Sequence, residues 1–585
     1  MIIVRTGNFF ESSQNIVKSF LSNVVAIDDR LCFGSRVEDP HDGQWSEVED
    51  GFDRDTDDTG IGIPSVQPAT ETQIRGELEP SAHNLDYQDL SLAFAEYGIN
   101  CSGFIPDPSR FASIEEASDK ILISAKRADI TILDWSMDDR FHKNTGTLAL
   151  RSIEKLLQHD KALHGRLRLI VIYTAEPNHE NIAEDIEEYL HNVGDKIIVN
   201  RDGANIGFES PDLEFCKICV IAKKATANEL REEVICLFTK LTMGLLPNAA
   251  LSALGELRDK THHILHSFSR DLDSAYLSHI LGLLSSPKVR ENADEVAFDY
   301  AAELISEEFK SVLQISQSLK LSLEKSRIKE WLGHININND DDYFEMMIGG
   351  EKGKVGSEKI KQLLDATQSE QIIQILQEQM GIIKTHQSPL DFFEKNRIQV
   401  NLKDGPIDSH EKLSVIECKR RDGLSPFHAG YTPNIKLGSI IKNAQGQYYI
   451  CLQPLCDSVR LSGDAGFIFI CAKMVTAPDG KFSHVIQSQS GDKIKLLVRP
   501  SSQNIQNFIL KRDKQSRTVK AIKNKDGNYV IQHKLAGGKC DELVWVGELK
   551  NNVAQAISNN VAASISRVGL DTNEWLRLSA TSRND

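Results

Sequence analysis

The stretch Ala128–Asp139, ADITILDWSMDD, decides how the first part of this chain folds. An apolar run of Ile130, Ile132 and Leu133 stops at Asp134, with Asp138 and Asp139 just beyond. β-Branched residues that end on a carboxylate predict a buried strand carrying that carboxylate to its carboxyl edge. In open α/β sheets ligands sit at that edge. A lone acid there is ordinarily a surface turn residue, so the reading depends on the neighbouring strands.

Three more apolar runs end in matching chemistry. Val24-Val-Ala-Ile27 runs into Asp28 and Asp29, Leu169–Tyr173 into Thr174-Ala175, and Ile218–Ala222 into Lys223-Lys224. Three carboxylates meeting at one edge would hold a hard divalent cation such as Mg²⁺ through oxygen ligands. A hydroxyl and an ammonium beside them suit two oxygens of a phosphoryl group.

This order of acid pair, acid, Thr-Ala and Lys on successive strands resembles the response-regulator receiver domain, over roughly residues 15–240. The resemblance implies a doubly wound parallel sheet in which Asp134 accepts phosphate from a partner histidine kinase. It also implies Mg²⁺ held by Asp28, Asp29, Asp134 and the Ser136 carbonyl. Thr174 would bind one phosphoryl oxygen, and Lys223 or Lys224 another. Two features depart from the family pattern. An insertion follows the first strand, and neither lysine has Tyr or Phe three residues before it, where receivers keep an aromatic switch.

Composition narrows the function. At 585 residues the chain has room for about three domains, and 84 acids against 67 bases give a net charge of −17. That balance argues against general affinity for nucleic acid or anionic membranes. No apolar run approaches the ~20 residues of a membrane span, and MIIVRTGNFFESS lacks the features of a secretory signal. Ten scattered cysteines, with one unpartnered C-x-x-C at Cys216–Cys219, fit reduced thiols and a cytoplasmic protein.

Along the chain the expected domains are 1–227, a receiver-like phosphoacceptor domain, 228–398, a helical region, and 399–585, a mostly antiparallel β domain ending in an amphipathic helix. The receiver should carry an acidic insertion at 36–83. Between Val37 and Thr59 this insertion has ten acids and one arginine, too little apolar surface to fold alone. Alternating runs predict helices over 12–21, 85–97, 113–127, 145–159 and 181–193, and an extra short strand over Lys196–Val199. His262, His263 and His266 read as partly exposed helix residues, and GGEKGKVGS at 349–357 as a flexible connection. In the last third, runs such as Leu413–Cys418 and Tyr448–Gln453 predict strands. The stripe Val553, Ile557, Val561, Ile565 and Val568, stopped by Gly569, predicts the closing helix.

One motif competes with the receiver reading. Glu417-Cys-Lys419 is an E-x-K of the kind PD-(D/E)xK nucleases use, with Asp404 or Asp408 as the second carboxylate. Glu417 is expected instead on a solvent-facing strand, away from either aspartate. The basic cluster from Lys511 to Lys525 lacks interleaved aromatics and reads as solvated loops.

The larger architecture resembles the receiver proteins of Detocs-type bacterial anti-phage systems, relatives of two-component signalling. The resemblance implies a phosphoacceptor rather than an enzyme, apart from self-dephosphorylation, acting as a phosphate sink or adaptor in antiviral defence. Its partners would be a histidine kinase, a receiver-effector protein of the same system, and a second copy in a homodimer. Two other readings stay open: a scaffold that binds partners through its β tail without phosphorylation, and a phosphorylation-gated nuclease.

Overall fold

The structure is a computed structural model that describes residues 8–31, 86–107, 109–137, 141, 145–193, 197–286, 290, 293–336, 343–349, 351–380, 389, 392–393, 397–403, 405–406, 408–420, 432–459, 461–477, 481–488, 492–535 and 539–565. The insertion at 36–83, Asp138, Asp139, Asp404 and Gly569 lie outside the described residues. The chain divides into two compact units, Met1–Gly255 and Glu256–Asp585.

The first unit is an α/β fold. Its strands are β1 (Asn23–Ile27), β2 (Asn100–Phe104), β3 (Ile130–Asp134), β4 (Arg168–Thr174), β5 (Val199–Asp202), β6 (Asn205–Phe208) and β7 (Cys216–Ala222). Their order in the sheet is β2-β1-β3-β4-β7-β6-β5. The first five in that order are parallel, as right-handed crossovers through helices require. Helices α1 (Asn8–Phe20), α2 (Tyr87–Ala95), α3 (Ile114–Ala125), α4 (Thr147–Ala162), α5 (His179–Asn192) and α6 (Ala227–Thr242) cover both faces.

Strand periodicity explains the doubly wound arrangement. Val25, Ile27, Leu133, Ile170, Ile172 and Ile218 turn to one side and pack with Ile121, Leu156 and Ile186 of α3, α4 and α5. Val24, Ala26, Ile132, Val171, Tyr173 and Ile221 turn to the other, against Val17, Phe94 and Phe238 of α1, α2 and α6. Every residue of β3 and β4 is buried, as in a sheet covered on both faces. The Ser113 hydroxyl accepts the Glu116 N–H to cap α3, and the Glu116 carboxylate accepts the Ala112 N–H.

The order β2-β1-β3-β4-β7 reverses direction between β1 and β3, so a crevice opens past their carboxyl ends. Asp28, Asp29 and Asp134 stand there. At the opposite edge Arg168 is fully buried with Asp160, its Nη2 donating at 2.9 Å to Asp160 Oδ1. Its remaining donors reach the Ala125 and Lys126 carbonyls at the end of α3, at 2.8 and 3.2 Å. One guanidinium therefore ties β4, α3 and α4 together.

Of the strand expected at Lys196–Val199, Lys196 lies outside the described residues, and the observed strand begins only at Val199 and opens a hairpin. Gly203, at φ 59°, turns β5 back into β6, which pairs antiparallel with β7 and extends the sheet.

The second unit begins with helices, among them α8 (Asp273–Ser285) and α9 (Ala293–Ile315). His262, His263 and His266 are exposed on α7 (Leu245–Ser267). The Glu351–Val355 part of GGEKGKVGS is a strand of a hairpin, and Ser357 opens a helix. Strands β8 (Phe344–Ile348) and β9 (Glu351–Val355) pair through a turn that puts Gly349 at φ 57°. β10 (Ile398–Leu402) joins β8 on its other side, and Phe344, Met346, Ile348 and Val355 form a small core.

The C-terminal region is antiparallel throughout its pairings. β11 (Ser439–Lys442), β12 (Tyr448–Cys451), β13 (Ala465–Met474), β14 (Ile505–Leu510), β15 (Tyr529–Lys534) and β16 (Cys540–Leu549) pair in that order, and β16 returns to β11. Phe467, Phe469 and Trp545 fill one core cluster of this closed sheet. The helix Asn551–Ile565 buries Ala554, Ile557 and Val561 in the other, so the first part of its stripe packs on the β domain, whereas Ile565 is exposed and Val568 lies outside the described residues.

Leu413–Cys418 is not a strand but the end of the helix Ser409–Cys418. A short apolar run fits either period. Here Val415 and Cys418, three residues apart, lie towards one side, and Cys418 is buried.

Breaking the Arg168–Asp160 pair should be costly, because Asp160→Ala leaves a buried guanidinium without its counter-charge. A loss of about 3–5 kcal/mol is expected from urea unfolding of the full chain. An unchanged urea midpoint would contradict the role given to this pair.

Candidate functional site

The site is assembled from four strand ends. β1 runs directly into Asp28 and Asp29, β3 ends on Asp134, β4 ends on Thr174 and β7 leads into Lys223. All three carboxylates are buried, at 1%, 3% and 6% exposure, and one oxygen of each lies within 4.8 Å of the others. This is the only cluster of potential metal ligands among the described residues. The parallel register of β1, β3 and β4 holds the group together, since Ile27 pairs with Leu133 and Asp134 with Tyr173.

Lys223 enters from the far side. Its Nζ lies 3.1 Å from Asp134 Oδ1 and 3.4 Å from Asp28 Oδ2. Backbone groups complete the cradle: the Arg30 N–H donates to Asp28 Oδ1 at 2.7 Å, and the Ser136 N–H to Asp134 Oδ2 at 3.3 Å. Thr174 is buried, and its Oγ1 accepts the Glu176 N–H at 3.1 Å.

Lys224 faces elsewhere, with its Nζ 2.5 Å from Glu233 of α6. The residue that separates the two lysines is Tyr173, which sequence reasoning missed. Its hydroxyl accepts the Lys224 N–H at 2.7 Å, and its ring lies 5.7 Å from Lys223 Nζ. An alternating strand residue before Thr174 reads as core, and only the β4–β7 pairing brings it under the lysines.

The electrostatics follow from burial. Loss of water pushes the Asp134 carboxyl up to about 6, Asp28 adds to the effect, and Lys223 works against it. Burial also disfavours the Lys223 ammonium, but Asp134 and Asp28 outweigh it and hold its pKa above the ordinary value. Three acids and one ammonium leave a net negative site when all are ionised. A divalent cation fits that all-oxygen donor set.

Gly146 shapes the loop beyond. It precedes α4 at φ 87°, and a Cβ there would come within 2.3 Å of the Trp135 ring next to Asp134. Only glycine fits both conditions.

The nuclease constellation does not assemble. Glu417 is exposed in the last turn of the helix Ser409–Cys418, not on a strand, and Lys419 follows it. Asp408 stands at the other end of that helix, roughly 13 Å away at 1.5 Å per residue, and is paired with Lys493 and Lys412. Asp404 is outside the described residues. In the basic cluster, Arg512 donates to the Leu461 carbonyl at 2.6 Å, a structural role.

A buried acid cluster with a lysine stands at the switch point of a doubly wound sheet, where open α/β folds bind their ligands. In agreement, residues 20–228 match the family model described as "Response receiver domain". The match supports a receiver domain over these residues and with it a phosphoacceptor, response-regulator-like role. No match is found among curated proteins or among solved structures.

Because Asp134 titrates at about 6 folded against an ordinary 3.8, the unfolded chain loses its proton first. With chelator present, stability should fall as pH rises from about 4 to about 6 and level off above. Asp134→Asn should remove this slope and be more stable at neutral pH by about 1–3 kcal/mol. Urea midpoints across that range, identical for both proteins, would contradict the assignment.

Proposed function

We propose that the chain takes a phosphoryl group from a cognate histidine kinase onto Asp134. The observation that carries this reading is the placement of Lys223 Nζ, 3.1 Å from Asp134 Oδ1 and 3.4 Å from Asp28 Oδ2 inside a buried acid cluster. An unpaired carboxylate would repel an incoming phosphoryl group, whereas this arrangement offers a cation at the nucleophile. Asp134 attacks phosphorus in line, the P–N bond of the donor phosphohistidine breaks, and its electron pair leaves with the imidazole, which takes up a proton. An acyl phosphate remains.

Thr174 positions one phosphoryl oxygen. Its Oγ1 already accepts from Glu176, so its own hydrogen can be donated. Lys223 follows the new charge and pairs with a second oxygen. Mg²⁺, held by Asp28, Asp29, Asp134 and the Ser136 carbonyl, would offset the negative charge of acids and phosphoryl group alike. Lys224 stays on Glu233 and has no part in the transfer.

The resemblance of the whole architecture to the draining receiver proteins of Detocs-type systems supports a role in cytoplasmic anti-phage signalling, as a phosphate sink or adaptor. In a reconstituted system this chain would compete with a receiver-effector protein for the kinase's phosphoryl groups.

Acetyl phosphate and Mg²⁺, followed by intact mass, test the transfer. Wild type should gain one phosphoryl group and Asp134→Asn none. Lys223→Ala should slow the gain by about tenfold, and Lys224→Ala should leave it unchanged. An Asp134→Asn protein that gains as much as wild type would sink the proposal, and equal effects of the two lysine changes would remove Lys223 from it.

A further inference from the structure

We infer that Tyr173 is a positioning residue for the transfer proposed above, and the inference rests on that reading. Through the backbone of Lys224, its hydroxyl keeps Lys223 rather than Lys224 at the acid cluster. The turn out of β7 is the first observation. Thr174 and Ala222 are the last paired residues of β4 and β7, and the Lys223 N–H still donates to the Thr174 carbonyl at 2.8 Å. In a parallel ladder successive N–H groups point to opposite sides of the strand, so a strand carried on would aim the Lys224 N–H away from β4. It donates instead to the Tyr173 hydroxyl, 2.7 Å away. The chain therefore leaves the sheet between the two lysines, and the phenol is the acceptor that fixes where.

The packing of Tyr173 does not explain its hydroxyl. The residue is 3% exposed and lies in the apolar cluster with Val171 and Ile221. A phenylalanine would fill that space at less cost, because a buried hydroxyl is unfavourable unless it is partnered. Its partner is the Lys224 N–H. Tyr173 pairs with Ile221, which shares a face with Lys223 by alternation. The ring accordingly lies 5.7 Å from Lys223 Nζ, within reach of a cation–π contact. One side chain thus floors the Lys223 ammonium and anchors the backbone one residue further on.

The anchor matters because the two lysines are chemically identical neighbours. A one-residue slip at the end of a strand exchanges the side chains that its two faces present. Held as it is, the turn sends Lys223 Nζ to Asp134 and Asp28, and Lys224 Nζ to Glu233 of α6. Without the hydroxyl the Lys224 N–H loses its acceptor, and the slip that brings Lys224 toward the acids becomes accessible. Glu233 opposes that slip, so Lys223 keeps the larger share of the site. A displacement of about 1 Å at a reacting centre is enough to slow a reaction by up to ~100-fold.

The rate at which the full chain gains phosphate from acetyl phosphate and Mg²⁺, followed by intact mass, tests this. Tyr173→Phe, with unchanged circular dichroism, should gain phosphate about tenfold more slowly than wild type. In that background Lys223→Ala should cost less than it does alone, and Lys224→Ala, neutral alone, should slow the gain. A tyrosine with a purely structural role would shift the urea midpoint and leave the rate and the ranking of the lysines as in wild type. Acetic anhydride labelling mapped by peptide mass is a second readout that needs no phosphate. Lys223 should react several-fold more slowly than Lys224 in wild type, and the difference should shrink in Tyr173→Phe. A wild type that gains no phosphate would fail the transfer reading, and the labelling would then decide the inference alone. A folded Tyr173→Phe that labels like wild type, or that gains phosphate at the wild-type rate with the lysine ranking intact, would overturn the inference.

Discussion

Three buried carboxylates gathered around one lysine ammonium are the constraint on which the first unit depends. At separations within 4.8 Å, each pair of ionised acids repels by about 3–4 kcal/mol at an effective dielectric near 20. Lys223 offsets part of that, and loss of water, with Asp28 beside it, still pushes the Asp134 carboxyl up to about 6. The sheet holds the acids there because their strands are locked by cores on both faces and by the Arg168–Asp160 pair at the opposite edge. Stability is thus lost at the edge that holds the acid cluster and gained at the opposite one.

Much of this was legible in the sequence, for one reason. A fully buried parallel strand must be a continuous apolar run, and the residue that ends it is where polarity resumes. Asp28, Asp29, Asp134, Thr174 and Lys223 are all such residues. What could not be read were choices between neighbours. Lys223 and Lys224 are identical side by side, and the Tyr173 hydroxyl, from another strand, distinguishes them. The β5–β6 hairpin was hidden because its strands are four residues each and mostly exposed or half-buried.

The second unit taught the converse lesson. Leu413–Cys418 has too few apolar residues to fix a period, and the helix it forms undoes the strand geometry that an E-x-K site needs. The glycines of GGEKGKVGS suggested a loose connection, whereas Gly349 supplies the positive φ of a tight turn between two paired strands. The closed antiparallel sheet was visible in outline, because β-rich runs broken by Gly, Asp and Asn are hard to read otherwise. Its interior is filled by Trp545 and two phenylalanines.

The account's central claim is that the Asp134 carboxylate itself carries the phosphoryl group. Borohydride reduction after phosphorylation, with peptide sequencing by mass spectrometry, tests it most directly, since reduction of an aspartyl phosphate leaves homoserine at the modified position. The account predicts homoserine at position 134 and no other. Homoserine at another aspartate, or phosphate that survives reduction on a hydroxyl or a histidine, would contradict it.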